Sequence, residues 1–416
     1  MQYLMLLRRE GKSKMLKYVG KSEKRVDGIK KVTGFVRYTD DLKLSGMLYA
    51  KVKKSPYPHA KILRIDTSKA AKLPGVKVVI TGKDVPIRVG LYLEDKTFLA
   101  INKVRFIGEP VAAVAAESEE VAEEAVSLIE VDYKKLSAVF SPLDGIKPDA
   151  PLIHEDLGNY KHASIIIPQS GTNISNHYKI RKGDVEKGFK EADFVFENDF
   201  YVPHIQHSAI ENHCAIAQAD PEGKITVWAG CQSPYAVRRT LATAFNIPLN
   251  KIRVISPAIG GGFGAKAGTT LEGIVIPLAQ QTNYRPVKLS FSREDVFTNT
   301  FIRQGMYARI KTGVTKSGRI IAEENKFYWD GGAYTEYGVN IARAGGYAST
   351  GPYDIPNVKA DSICVYTNHP VGGPYRGFGM SEIHFAIEQN LDIIAHKIKM
   401  DPLEFRRKNE IGRAHV

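Results

Sequence analysis

Three cysteines (Cys214, Cys231 and Cys364) in 416 residues are too few and too scattered for a disulfide framework or an iron–sulfur cluster. Reduced thiols in the cytoplasm are the expectation. No stretch reaches the ~18 uncharged apolar residues that a transmembrane helix needs. Met1–Leu7 is apolar, but its charges, Arg8 and Arg9, follow it; a secretory signal has them in front. No Gly-x-Ser-x-Gly elbow is present, so the usual serine-hydrolase reading has no anchor. Walker A needs Ser or Thr after Gly-Lys, and the chain offers Ala265-Lys266-Ala267. There is no internal repeat and no low-complexity tract.

What is present is globular in composition, with 43% hydrophobic and 25% charged residues. The length exceeds one ordinary core and predicts two or three domains. The formal charge of +13 is spread out. Its densest parts, Lys51–Lys54 and Lys12–Arg25, hold no aromatic and only Tyr18 respectively. Neither interleaves stacking groups with charge, so no nucleic-acid partner is expected. The same charge suits an acidic partner subunit or an anionic cofactor.

The chain divides as follows. Residues 1–19 read as a leader, with Met15 as an alternative start. Residues 20–146 form an α+β domain, with strands expected at Leu48–Val52, Ala60–Ile65, Val76–Thr81, Ala112–Ala116 and Ile129–Tyr133 and a helix at Ser118–Leu128. Residues 147–181, broken by Pro148, Pro151 and Pro168, read as a linker. A larger α+β unit follows over 182–410. Its expected strands are Phe194–Tyr201, Ile225–Ala229, Ile252–Ile255 and Val287–Phe291. One helix is capped by Ser233 with Pro234 at its first position; another follows Ser381; a third opens at Asp401-Pro402.

The strongest local signal is Gly260-Gly261-Gly262-Phe263-Gly264-Ala265-Lys266, between a strand and an apolar run at Thr270–Ile276 that ends before Pro277. Consecutive glycines let backbone N–H groups approach an anion. The dinucleotide fingerprint fits marginally as Gly260-x-Gly262-x-x-Ala265, but no carboxylate lies about 20 residues on. A tight structural turn is the alternative. A second loop, Gly372-Gly373-Pro374-Tyr375-Arg376-Gly377-Phe378-Gly379, runs into a helix start; Arg376 and that helix end suit negative charge, and Phe378 suits a planar ligand. Taken alone, it also reads as a helix-entry loop. Gln232, before a helix, has an amide that can donate to an oxo group or phosphate, or merely cap. His204-x-x-His207 with His213 has metal-ligand spacing, but no Cys-x-x-Cys or His-Glu-x-x-His accompanies it. Glu211 between them is either a carboxylate supporting a site or a salt-bridge partner.

Together these loops resemble the molybdopterin-binding large subunit of the xanthine dehydrogenase/aldehyde oxidase family of molybdenum hydroxylases. The resemblance runs from about Gly20 to Asn409. It rests on Arg25-Val26-Asp27-Gly28, Tyr38-Thr39-Asp40-Asp41, Ser55-Pro56-Tyr57-Pro58-His59-Ala60 and Phe106-Ile107-Gly108-Glu109-Pro110, then Lys182-Gly183-Asp184, both glycine loops and Arg406-Arg407-Lys408-Asn409, in the family's order. It implies an N-terminal hammerhead domain followed by the first molybdenum-cofactor-binding domain, with the second cofactor domain outside this chain.

The resemblance also implies roles. Gln232, Gly261, Gly262, Phe263, Gly264 and Arg376 would bind the cofactor, Phe378 the substrate, and Arg343 would be the catalytic, substrate-orienting arginine, its spacing off by about one residue. No residue ligates the metal directly, and the general-base glutamate is expected outside the chain. The cofactor is a molybdopterin dinucleotide, in the cytosine form; iron–sulfur clusters and FAD sit on partner subunits.

The resemblance implies hydroxylation of an N-heterocycle or an aldehyde with oxygen from water. Ala267 stands where xanthine-specific members carry glutamate, and Tyr375–Gly379 replaces the cysteine loop of carbon monoxide dehydrogenases. The chain is about half the family's length. It reads as a truncated frame with residues 411–416 non-native; a naturally split subunit, partnered by its C-terminal molybdopterin half, is the alternative. Either way the chain alone is expected not to turn over. A nicotinamide-dependent dehydrogenase using the Gly260 loop and a non-catalytic assembly module are the competing functions.

Overall fold

The computed structural model describes residues 16–412. Residues 1–15 of the expected leader, with the start at Met15, and residues 413–416 of the expected tail lie outside them. The described residues up to Arg37 form one unit and those from Tyr38 another. In the first, a short helix, Gly28–Val32, has no buried residue.

The two largest of the five sheets in the second unit make its framework. The larger has seven strands in the order Ile252–Ile255, Ile225–Ala229, Cys214–Ala219, Val287–Ser290, Leu48–Lys54, Pro110–Ala116 and Val76–Thr81. It therefore joins strands from both expected domains. The seam is a parallel pairing of Leu48–Ala50 with Val287–Leu289. One apolar core serves both sides, with Leu48, Val52 and Ile80 packed in the same cluster as Ala215, Val227, Ile274 and Leu289. Pro110–Ala116 is buried along its whole length. Ala113 and Ala115 face that core, while Ala112 and Val114 pack with Ala125 of the helix Glu119–Ser127. Small side chains on both faces let a helix and a second layer approach closely.

The other sheet has five strands, in the order Phe194–Val202, Met306–Val314, Ile320–Gly332, Asn357–Tyr366 and Ile174–Lys182. The helices Gly338–Tyr347 and Met380–Lys397 pack on it around Trp329, Phe327, Ile383 and Ile387. The end of the expected linker is thus a strand, antiparallel to Asn357–Tyr366. Before it, Asn173 accepts a hydrogen bond from Ile153 N and donates to the carbonyls of Gly145 and Pro151. The prolines interrupt periodicity there without releasing the chain from the core.

Two helix boundaries depart from expectation. The helix after Leu271 runs from Glu272 to Gln280 and passes through Pro277, its residues Glu272–Ala279 all buried; burial offsets the lost backbone hydrogen bond. The helix expected to follow Ser381 begins at Met380, after Gly379 at φ +89°. Ser381 lies in its first turn, its hydroxyl donating to the Arg376 carbonyl. Ser233 stands before its helix but forms no side-chain cap, whereas Asp401 caps Leu403 N and Glu404 N as expected.

Candidate functional site

Two parallel neighbours of the large sheet, Ile225–Ala229 and Ile252–Ile255, end side by side, with Trp228 opposite Ile255. Parallel strands release their chains at the same edge, so Gln232 and the Gly260 loop emerge together. The Gln232 amide oxygen accepts from Gly264 N at 2.8 Å and from Lys266 N at 3.4 Å, and its own backbone N–H donates to Lys266 O at 2.8 Å. A Cβ at Gly262 would lie 2.5 Å from that amide oxygen. With the oxygen committed, the Gln232 NH2 is the free end, on an exposed residue. Phe263 is held at φ +53° with 49% of the residue exposed, between Gly261 at +101° and Gly264 at +116°. A left-handed phenylalanine is a strained conformation, kept only where its surroundings dictate it.

The second loop packs directly on the first. A Cβ at Gly264 would overlap the Pro374 carbonyl. Gly372–Gly373 pairs with Ile302–Arg303, which pairs in turn with Ile205–Gln206 in a three-stranded sheet. Arg376 is exposed. Its carbonyl accepts from Arg303 Nη2 at 2.7 Å. Phe378, at φ +51°, is half-buried, its ring edge-to-face with Tyr337 at 6.3 Å. The N-terminus of Met380–Lys397 follows without a side-chain cap, so its first N–H groups add positive potential beside Arg376.

The histidine spacing proves to be a set of staples for these loops. The His207 Nε2 donates to Pro374 O at 2.7 Å and its ring lies 4.4 Å from the Tyr375 ring. The His213 Nε2 donates to Ala265 O at 3.2 Å. Glu211 Oε2 accepts from Gly260 N and from Lys266 Nζ, both at 2.7 Å; the Lys266 side chain is 1% exposed. Arg303 completes the frame, its guanidinium 4.2 Å over the Tyr375 ring and 3.5 Å from the Glu382 carboxylate. His204 does not join His207 and His213; it faces Asp330 at 3.1 Å. A cavity of about 740 Å³ opens behind the Gly260 loop, with Tyr38, Asp40, Lys51, Glu211 and Gly260 in its wall.

His207 and His213 are both pushed down to about 4 by burial. An unfolded histidine titrates near 6.5. Each therefore stays neutral in the fold while the unfolded chain takes up a proton. Their stabilising share is whole above about pH 6.5 and is lost as the pH falls toward 4, on the order of 2 kcal/mol each by about pH 5. Buried acids act oppositely, since burial pushes Glu323 up to about 7 and Asp95 to about 6. The histidine share is therefore read as a difference. Between about pH 7.5 and 5, wild type should lose about 2 kcal/mol more than His213→Gln in urea unfolding; equal changes would remove His213 from the account.

Arg343 is not brought to the loops by a hydrogen bond or ion pair among the described residues. It lies on the helix Gly338–Tyr347, its guanidinium 4.9 Å over the Tyr347 ring and 5.9 Å over that of Tyr178. The sequence reading missed Arg303 and the stapling role of His207 and His213.

The donor set fits an anionic, oxo-bearing cofactor. It offers a free amide N–H at Gln232, close backbone at Gly261–Gly264, an exposed arginine and a helix N-terminus. It includes no thiolate, and the three cysteines are buried with thiols pushed up to about 12 by burial.

Comparison with known proteins agrees. Residues 166–410 match the molybdopterin cofactor-binding domain model, and residues 33–137 match the aldehyde oxidase and xanthine dehydrogenase a/b hammerhead domain. A probable xanthine dehydrogenase subunit of Bacillus subtilis is 40% identical over 93% of this chain and 50% of its own length. The nicotinate dehydrogenase large molybdopterin subunit of Eubacterium barkeri is 33% identical over 94% of this chain and 89% of its own. The aldehyde oxidoreductase structure from Desulfovibrio gigas superposes with a TM-score of 0.85 at 30% identity, covering 94% of this chain and 43% of that one. The chain thus spans about half the length of some relatives and most of another. With its glycine loops, its α+β architecture and both domain models in order, it belongs to the xanthine dehydrogenase/aldehyde oxidase family of molybdenum hydroxylases.

Proposed function

We propose that this chain forms part of the cradle for a molybdopterin dinucleotide, in the cytosine form, within a cytoplasmic multisubunit hydroxylase. When bound, the cofactor supplies the two-electron oxidation of a carbon–hydrogen bond with oxygen from water. The proposed substrate is an N-heterocycle or an aldehyde. Ala267 in place of a glutamate disfavours xanthine. Electrons leave to iron–sulfur and FAD partner subunits, and a glutamate outside this chain serves as general base.

The residues here bind and orient. The Gln232 N–H is offered to an oxo group, the Gly261–Gly264 backbone lies against the cofactor, and Arg376 meets its negative charge. Phe378 stacks on the substrate, with Tyr337 supporting its ring. The carrying observation is the pinned Gln232 carbonyl, which leaves the amide N–H as the free end. Gln232→Ala, in the complete complex, is expected to lose molybdenum or to slow about a hundredfold, the cost of one oriented donor. Unchanged metal content and kinetics would take Gln232 out of the site.

Arg343 enters this scheme as the substrate-orienting cation on the family resemblance alone. Arg343→Ala is expected to lower kcat/KM about a hundredfold. A full-speed variant leaves Arg343 only its stacking on Tyr347 and Tyr178.

A nicotinamide reading finds less support, because the Gly260 loop does not enter a helix; the next one starts at Glu272. Turnover of the assembled complex in oxygen-18 water tests the proposal. Labelled product is expected. Unlabelled product, or nicotinamide reduction by this chain alone, would overturn it.

A further inference from the structure

Outside the loop cluster, His204, Asp330 and His369 each place one donor atom so that all three lie within 4.8 Å of one another. Asp330 Oδ2 lies 3.1 Å from His204 Nε2 and 2.8 Å from His369 Nδ1. The other carboxylate oxygen is separately engaged, accepting from the Thr367 hydroxyl and from Gly332 N. That division fixes the carboxylate plane and leaves Oδ2 for the imidazoles alone. The His204 Nε2 is buried yet forms no aligned hydrogen bond, even to the nearby carboxylate. A buried ring nitrogen whose carboxylate neighbour, at 3.1 Å, is poorly aligned is incompletely satisfied.

We propose that His204, Asp330 and His369 bind a zinc-type divalent cation in a two-histidine, one-carboxylate site. Zinc bonds to nitrogen and oxygen are about 2.0–2.2 Å, which sets tetrahedral donors about 3.4 Å apart. The two measured separations, 3.1 and 2.8 Å, are shorter than that value and the third pair lies within 4.8 Å, so an ion would spread the carboxylate and imidazoles by a fraction of an ångström. Thr367 and Gly332 supply the outer hydrogen bonds that orient a ligating carboxylate. The Asp330 side chain is 3% exposed, whereas His204 and His369 are 23% and 28% exposed. The cluster therefore lies near the surface, with its carboxylate on the inner side.

The location gives the site a task. His204 precedes the strand Ile205–Gln206, and His369 lies just before the strand Gly372–Gly373. Asp330 is near the end of the long strand Ile320–Gly332. The cation would tie the five-stranded sheet to two of the three strands that carry the second glycine loop. This inference does not depend on the molybdenum reading, and its readout is separate.

The test is zinc titration by calorimetry of the chelator-dialysed protein, purified without a polyhistidine tag. Cobalt substitution reports the geometry by visible absorption. One zinc per chain is expected, with His204→Ala and His369→Ala each weakening binding about tenfold or more. Both residues are part-exposed, so the variants should stay folded, checked by circular dichroism. Zinc should also raise the urea midpoint of wild type and not of the variants. Absence of zinc binding, or binding unchanged in both variants, would overturn the proposal whatever the molybdenum content.

Discussion

Gly264→Ala is expected to destabilise the protein by about 2–5 kcal/mol and to abolish cofactor retention. Two costs add. The first is conformational: Gly264 sits at φ +116°, and a side chain there costs roughly 1–2 kcal/mol. The second is steric: the new methyl would overlap the Pro374 carbonyl. One loop must then move, at about 1–3 kcal/mol for such overpacking. The site is damaged by the second cost, since the two loops are parted. Gly171→Ala separates them. Gly171 has φ +73° but nothing within 4 Å of its built Cβ, so only the conformational cost should appear, with full molybdenum content. Urea unfolding and metal analysis of both variants read the difference. Equal behaviour would mean that the loop contact contributes nothing.

Lys266→Met is the second large effect. The lysine is buried against Glu211, which also receives Gly260 N. Burial lowers the Lys266 pKa despite its partner, which measures how poorly the ammonium is solvated. Removing the cation leaves the Glu211 carboxylate, whose side chain is 10% exposed, without its counter-ion. Breaking one side of a buried pair costs about 3–5 kcal/mol. The double variant Lys266→Met/Glu211→Gln removes both charges and should recover much of that loss, because replacing a whole buried pair is often near neutral. A double variant no more stable than the single one would show that the ion pair is not the origin of the effect.

The sequence was informative where local rules decide the outcome. Val76–Thr81, Ile225–Ala229 and Ile252–Ile255 form with the expected bounds, because their branched, alternating residues meet a half-buried sheet. Ser118 caps its helix through Val121 N. The long strand Ile320–Gly332 was hidden by its own buried polar residues. Glu323, Asn325 and Asp330 break the apolar pattern, and some of their partners lie far along the chain: Asn325 donates to Ser349 O and Asp330 accepts from the Thr367 hydroxyl. The seam between Leu48 and Val287 is likewise long-range, so no window of sequence contains it.

The site divides in the same way. The glycines and Gln232 carry a signal, since only certain residues permit close backbone approach. The staples carry almost none. His207 and His213 bind carbonyl oxygens of Pro374 and Ala265, and every residue has a carbonyl. Their spacing resembles that of metal ligands without the accompanying motifs, and it says nothing of carbonyl acceptors. Arg303 reaches the carbonyl of Arg376, 73 residues away, which leaves no local trace.

The central claim is that Gln232 and the two glycine loops form one cradle for a molybdenum–pterin group. Molybdenum and pterin content per chain, measured on the assembled complex, tests it most directly. The account predicts close to one of each for wild type and Gly171→Ala, and almost none for Gly264→Ala. Full occupancy in Gly264→Ala, or no molybdenum in wild type, would contradict it.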